Sequence, residues 1–240
     1  METNKYKKYY AETVGACKKC NPKGFLSVKG GFVSCDCLRW YNKYKQLHDS
    51  GLPRSYWNDG QIANFAGDVN AKKQVNDYMA FLKDNISKGI GLYLYGNPGV
   101  GKTLLASNIV LHSLRYNIKA KFYYFTDVLN MFTDSWKNEE ARAEIETEII
   151  NSDILILDDV GKEYHSNKKL HESILDTVLR TRASDLKPII LTSNYDILDI
   201  KETYGAGIVD LFKEHLITVK VDGESYRKQK MDEKKKWEYQ

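Results

Sequence analysis

The chain has 240 residues, of which 42% are hydrophobic and 28% charged, and its formal net charge is +4. That length gives one substantial domain plus a small appendage, and the ordinary globular composition excludes a disordered or fibrous protein. No apolar run approaches the roughly 20 residues of a membrane span, and residues 1–8 lack the apolar core of a secretory signal, so the expectation is a cytoplasmic protein without membrane contact. Much of the positive charge sits at the ends, in Lys5, Lys7 and Lys8 and in the basic run from Arg227 to Lys236. Such tails fit a solvated surface or a phosphate contact. The 17 tyrosines are scattered and mark no site by themselves.

Residues 1–47 form the first stretch, rich in Lys and Tyr, with Gly24, Gly30 and Gly31 placed for tight turns. All four cysteines of the chain lie here, as Cys17-x-x-Cys20, fourteen residues, then Cys35-x-Cys37. In a reducing compartment this clustering points to metal rather than disulfides. Two closely spaced pairs supply the four ligands of a structural Zn²⁺, which would also stabilise a segment too short for its own core. The second pair is C-x-C rather than C-x-x-C, and an iron–sulfur cluster or four free thiols remain alternatives. Residues 48–68 show no sustained period and read as a linker.

From residue 69 to 240, strand-like and helix-like segments alternate. Residues 70–87 have helical spacing, with Val75, Tyr78, Met79 and Leu82 on one face. A short strand over 91–95 runs into a glycine loop, and a helix over 103–115 follows with Leu104, Leu105, Ile109, Val110 and Leu114 as its apolar stripe. A strand over 121–126 precedes Asp127, a plausible helix N-cap. A Glu-rich helix over 139–150 leads to the wholly apolar strand 154–157, as expected of a central parallel strand. A helix over 167–184, a strand over 188–192 and a last strand over 216–221 complete the pattern. The fold class expected is α/β, a three-layer sheet that is mostly parallel, with binding at the carboxyl ends of the strands.

The loop reads Gly96-Asn97-Pro98-Gly99-Val100-Gly101-Lys102-Thr103, followed by Leu104, and fits the pattern G-x-x-x-x-G-K-[ST]. It follows a strand and opens a helix. Its backbone N–H groups can turn inward as an anion nest, reinforced by the helix N-terminus, and so cradle the phosphates of ATP. Lys102 can reach the β- and γ-phosphates, and Thr103 can offer its hydroxyl to Mg²⁺. The strand ending Asp158-Asp159 places two carboxylates beside that loop. Asp158 would hold Mg²⁺ and Asp159 would polarise the attacking water, although two acids can also merely cap a strand. A third strand ends Thr192-Ser193-Asn194. Asn194 could orient that water, or a Ser or Asn here could cap the helix over 196–204. His112, Arg115, Tyr116, Lys119, Lys121, Tyr123 and Tyr124 interleave basic and aromatic side chains that could track single-stranded DNA, or simply belong to a partly buried strand and a helix end.

Taken together, GNPGVGKT, ILILDDVG, PIILTSN and a terminal GESYR resemble the AAA+ ATPases of the DnaC/DnaI type, loaders of replicative helicases in bacteria and phages, which are related to IstB-like transposition ATPases. The resemblance covers about residues 50–230. It implies that Lys102 and Thr103 are Walker A residues, Asp158 and Asp159 the Walker B pair, Asn194 the sensor-1 residue, and Arg227 a sensor-2-like arginine. It implies an AAA+ P-loop ATPase core without a full helical lid. It also implies a cysteine module that docks the helicase, binding to single-stranded DNA, and a homo-oligomer in the ATP state. One departure stands out: residues 204–215 contain no arginine, whereas the family carries there a guanidinium that reaches a neighbour's ATP. Lys213, Arg180 or Arg182 are the substitutes at hand, and the departure points to slow, partner-stimulated ATP hydrolysis or to an ATP-binding switch. A transposition helper, or a decoy that occupies the helicase without turnover, are the competing readings.

Overall fold

A computed structural model describes residues 3–57, 65–136, 138–162 and 168–225, and the chain divides after Gly51 into two compact units. That division falls inside the stretch 48–68 read as a linker.

In the first unit, helix α1 (Thr3–Tyr10) continues into a π turn over Ala11–Gly15. Strands β1 (Phe25–Val28) and β2 (Gly31–Ser34) form an antiparallel hairpin, and helix α2 (Asp36–Asp49) follows it. The tyrosines to which the sequence assigned no role join the two helices. Tyr9 stacks on Tyr44 at 3.7 Å between centroids, and Tyr10 meets Tyr41 edge-on at 5.1 Å.

In the second unit, Asp68 caps helix α3 (Val69–Ala80) by accepting the N–H groups of Asn70 and Ala71. The single helix expected over 70–87 breaks at Phe81, where the backbone leaves helical values (φ −105°, ψ 25°), and resumes as α4 (Leu82–Ser87). The Asn85 amide bridges the break by donating to Tyr78 O at 3.0 Å. Next come β3 (Gly91–Tyr95), α5 (Lys102–Arg115) and β4 (Ala120–Tyr124). Helix α6 (Phe125–Ser135) begins immediately, so Asp127 lies in its first turn and is not the N-cap expected. Helix α7 (Glu139–Ile145) ends in a π turn over Glu146–Ile150 and precedes β5 (Ile154–Val160), which runs three residues beyond the apolar stretch. The rest is α8 (Lys168–Ser184), β6 (Ile189–Ser193), α9 (Ile197–Tyr204), α10 (Ala206–His215) and β7 (Leu216–Lys220).

The five long-range strands pair in the order β4-β5-β6-β3-β7, all parallel. Every residue of β6 is buried, and so is every residue of β5 except Asp159, as apolar strands covered on both faces require. Because successive side chains alternate, Leu155, Leu157, Leu191 and Tyr93 pack with α6, α8 and α10 on one face. Leu105, Ile109 and Val110 of α5 are buried, while Leu104 and Leu114, expected in the same stripe, are only half-buried. No helix of the described residues is long and apolar enough to cross a membrane.

The order matters for the site. Strand β6 lies between β3, which feeds the glycine loop, and β5, which carries the acids, so three strand ends that are distant in sequence finish side by side.

Candidate nucleotide site and cysteine centre

The glycine loop turns at Gly99 (φ 86°) and Gly101 (φ 102°), conformations that L side chains rarely adopt. A Cβ at Gly99 would strike Ser225, and one at Gly101 would strike the Phe65 ring, so side chains from both ends of the unit press on the loop. Gly101 is the residue before α5, and the first free amides of that helix open into the loop.

Lys102 is buried, and its ammonium donates to Gly96 O and Asn97 O, both at 2.8 Å, and to Asn194 Oδ1 at 2.9 Å. A buried ammonium needs acceptors, and those carbonyls occupy the place where phosphate oxygens would compete for it. The Asn194 amide thus points at the loop and not at the helix behind it. Helix α9 is capped instead by Asp196, in a reciprocal capping box with Asp199.

The acids are arranged by a bulge. Leu157 pairs with Leu191 and Val160 with Ser193, so Asp158 and Asp159 together face Thr192 alone. Asp159 takes up the extra residue with a left-handed backbone (φ 62°), which an aspartate tolerates better than most side chains. The Thr192 hydroxyl serves both acids, donating to Asp158 Oδ1 at 2.5 Å and accepting the Asp159 N–H at 3.0 Å. The Thr103 hydroxyl donates to the same Asp158 carboxylate at 3.0 and 3.1 Å. Burial pushes the Asp158 carboxyl up to about 6, with Asp159 adding repulsion, against the bonds from Thr192 and Thr103 that hold it down. Asp159 instead forms an ion pair with Lys162 at 2.6 Å.

A magnesium nucleotide suits this arrangement. Loop amides and an ammonium would meet phosphate oxygens, while a hydroxyl and a buried carboxylate in contact would supply the hard oxygen donors that Mg²⁺ prefers. Sequence reasoning missed two members, Thr192 and Lys162. Thr192 was visible only as part of the polar end of β6, and Lys162 carried no signal because its partner is set by the bulge. Arg227, together with the basic run that follows it, lies outside the described residues.

The four cysteine sulfurs lie within 4.8 Å of one another, with Cys17–Cys35 at 3.9 Å and Cys20–Cys37 at 3.5 Å. A disulfide needs about 2.05 Å, whereas the edge of a tetrahedron with metal–sulfur bonds of about 2.3 Å is roughly 3.8 Å. The set is compatible with zinc, and its compactness suits a single ion rather than a cluster of irons. The Gly24 N–H donates to Cys20 Sγ at 3.3 Å. Backbone N–H groups of Cys20 and Lys19 draw the Cys17 thiol down to about 7, while desolvation and the neighbouring thiols push Cys37 up to about 12. Four adjacent thiols ionise together only when a cation compensates them.

Other sequence candidates are engaged elsewhere. Lys121 pairs with Glu148, which also accepts the Tyr123 hydroxyl at 3.3 Å, so this part of β4 is tied to the π turn. Arg182 is buried and donates to Ile149 O, Ile150 O, Ser152 Oγ, Ser152 O and Pro188 O, which removes it as a group that could reach a neighbouring subunit. Arg180 is exposed and paired with Asp176, and Lys213 lies 3.9 Å from Asp210.

Residues 63–234 match the family model described as IstB-like ATP binding protein. The chain belongs to the IstB-like ATP-binding family. It is 25% identical over 132 residues to the replicative helicase loader DnaI of Bacillus subtilis, a match covering 55% of this chain and 42% of that protein. It is 28% identical over 160 residues to an insertion-sequence ATP-binding protein of Geobacillus stearothermophilus, covering 63% of this chain and 62% of the other. Each match thus spans less than two thirds of the curated relative. The crystal structure of the DnaC helicase loader superposes with a TM-score of 0.61 at 23% identity, covering 71% of this chain and 100% of that one. The fold of this IstB-like domain is therefore the P-loop AAA+ fold.

Proposed function

We propose that this chain is an ATP-driven assembly factor that binds a hexameric replicative helicase and loads it onto single-stranded DNA. The observation that carries the reading is the double link across the strand ends, Lys102 to Asn194 and Thr103 to Asp158, in a chain similar to a replicative helicase loader. Such links let occupancy of the loop be felt at β5 and β6.

In this reading the loop amides of residues 96–104 and Lys102 hold the phosphates of ATP, with the ammonium exchanging carbonyl partners for phosphate oxygens. Thr103 and Asp158 hold Mg²⁺, which supplies charge neutralisation at the transferring phosphoryl group. Asp159 accepts a proton from the attacking water, Asn194 orients that water, and Arg227 touches the γ-phosphate. Turnover is slow and partner-stimulated, because residues 204–215 offer no guanidinium for a neighbour's site, a group worth roughly 10³–10⁵ in rate elsewhere. The cysteine unit binds zinc and docks the helicase, and the ATP state is a homo-oligomer.

The test is capture of a replicative helicase by the purified chain with and without ATP, with Lys102→Ala as control. A stable complex that is lost on removing residues 1–51 supports the reading; no complex in any nucleotide state sinks it. The insertion-sequence relative, matched over 62% of its length, favours a second reading as a transposition helper. On that second reading this chain would prefer duplex over single-stranded DNA. A helicase decoy would bind without any stimulated hydrolysis.

A further inference from the structure

The two units differ in charge. Residues 1–51 carry ten basic and four acidic side chains, a net +6, whereas residues 52–240 carry 26 and 28, a net −2. The whole positive excess of the chain therefore lies on the cysteine unit. The same unit displays aromatic rings. No side chain of the β1–β2 hairpin is buried; Phe25 is 48% exposed and Phe32 77%.

The register pairs Phe25 with Ser34 and Ser27 with Phe32. Side chains opposite one another share a face, so both phenyl rings stand on one face, on a diagonal of about 7–8 Å, with only serines beside them. Small neighbours leave the ring faces open. Lys23 precedes β1 and Lys29 lies in the turn, both exposed. On α2, Trp40 is 63% exposed with Lys43 Nζ 6.0 Å from its ring. The hairpin is held at its base, where Gly24 donates to Cys20 Sγ and its carbonyl accepts the Cys35 N–H at 2.8 Å.

Open rings on a basic surface match a polyanion with unpaired bases, whose phosphates meet lysines while its bases stack. A duplex hides its base faces, and a purely apolar partner has no use for the charge. We propose that the Phe25–Phe32 face of the hairpin, flanked by Lys23 and Lys29, is a binding platform for single-stranded DNA, separate from the nucleotide site. The choice of DNA over RNA rests on the loader reading; the platform itself does not.

The experiment is fluorescence anisotropy of labelled oligo(dT), with oligo(U) and a duplex as competitors. It uses the full chain without nucleotide, and again in the Lys102→Ala background, so that failure of the ATP-dependent reading leaves this result untouched. Phe32→Ala should weaken oligo(dT) binding by about tenfold, the order expected for one stacked base. Phe32→Tyr should keep affinity and Phe32→Leu should lose it, because leucine is apolar but cannot stack. Absence of oligo(dT) binding, or equal binding by wild type and the Phe25→Ala/Phe32→Ala chain, overturns the proposal. So does full binding by Phe32→Leu, or loss of helicase capture in Phe32→Ala with DNA binding unchanged, which would make the face a protein dock. Preference for oligo(U) overturns the choice of DNA.

Discussion

The cysteine unit and the ATP-binding unit are held together by different means. Among the described residues of the first unit, the buried apolar side chains are Val14 and Leu47, joined by Cys20 and Cys35. The second unit encloses a continuous core running through Tyr93, Phe125, Leu155, Leu157, Ile174, Val178, Leu191 and Phe212. About fifty residues bury too small a fraction of their surface to offset the entropy of folding, and the proposed zinc on the four cysteines would take the place of a core. The larger unit has surface to spare, and can hold an ammonium, a carboxylate and a guanidinium inside. Among the described residues, buried charged groups are thus confined to the unit whose apolar core can offset them.

Removing the proposed zinc is the strongest way to break that comparison. Chelation, or Cys20→Ser, should unfold residues 3–51 while the second unit melts unchanged, since structural zinc contributes on the order of 10 kcal/mol in small domains. Calorimetry would show the loss of one transition; a common shift of both would mean that the units share their stability. Next comes Arg182→Ala, which removes five hydrogen bonds from the interior of the second unit and should cost about 3–5 kcal/mol. The expected fall in Tm is about 10 °C, read by thermal denaturation, with the first transition unmoved.

Lys102→Ala should lower ATP turnover by about a hundredfold or more, a loss of roughly 3 kcal/mol at the transition state, without unfolding either unit. Steady-state phosphate release measures it. The smallest effect concerns Asp158, whose carboxyl is raised from 3.8 to about 6. A raised carboxyl binds its proton more tightly in the folded chain, so this contribution is fully present below about pH 4 and is lost as pH rises through about 6. It amounts to at most about 3 kcal/mol. Asp158→Asn should flatten the dependence of Tm on pH across that window in the chain without nucleotide, and an unchanged profile would show the carboxyl to be ionised throughout.

The glycine loop, the apolar strand with its two acids, and the paired cysteines are local patterns, and each was legible because its chemistry needs neighbouring residues at fixed spacing. The break at Phe81 was not legible, because the apolar period runs across it and a side-chain bond from Asn85 decides the turn. Nor was the role of Arg182, since nothing in a helical run marks one arginine as buried beneath carbonyls that are 30 to 33 residues away.

The amino-acid sequence by itself determined the alternation of strands and helices from residue 69 onward, the phosphate loop and the thiol set, because short-range sterics, alternation and ligand spacing act between residues close along the chain. Tertiary structure alone decided that β6 enters between β3 and β5, bringing Asn194 to Lys102 across 92 residues. It also decided that a bulge sets Asp158 and Asp159 against one threonine. Those contacts follow from which strands pair and in what register, and that choice is made by the burial of whole faces rather than by any local motif.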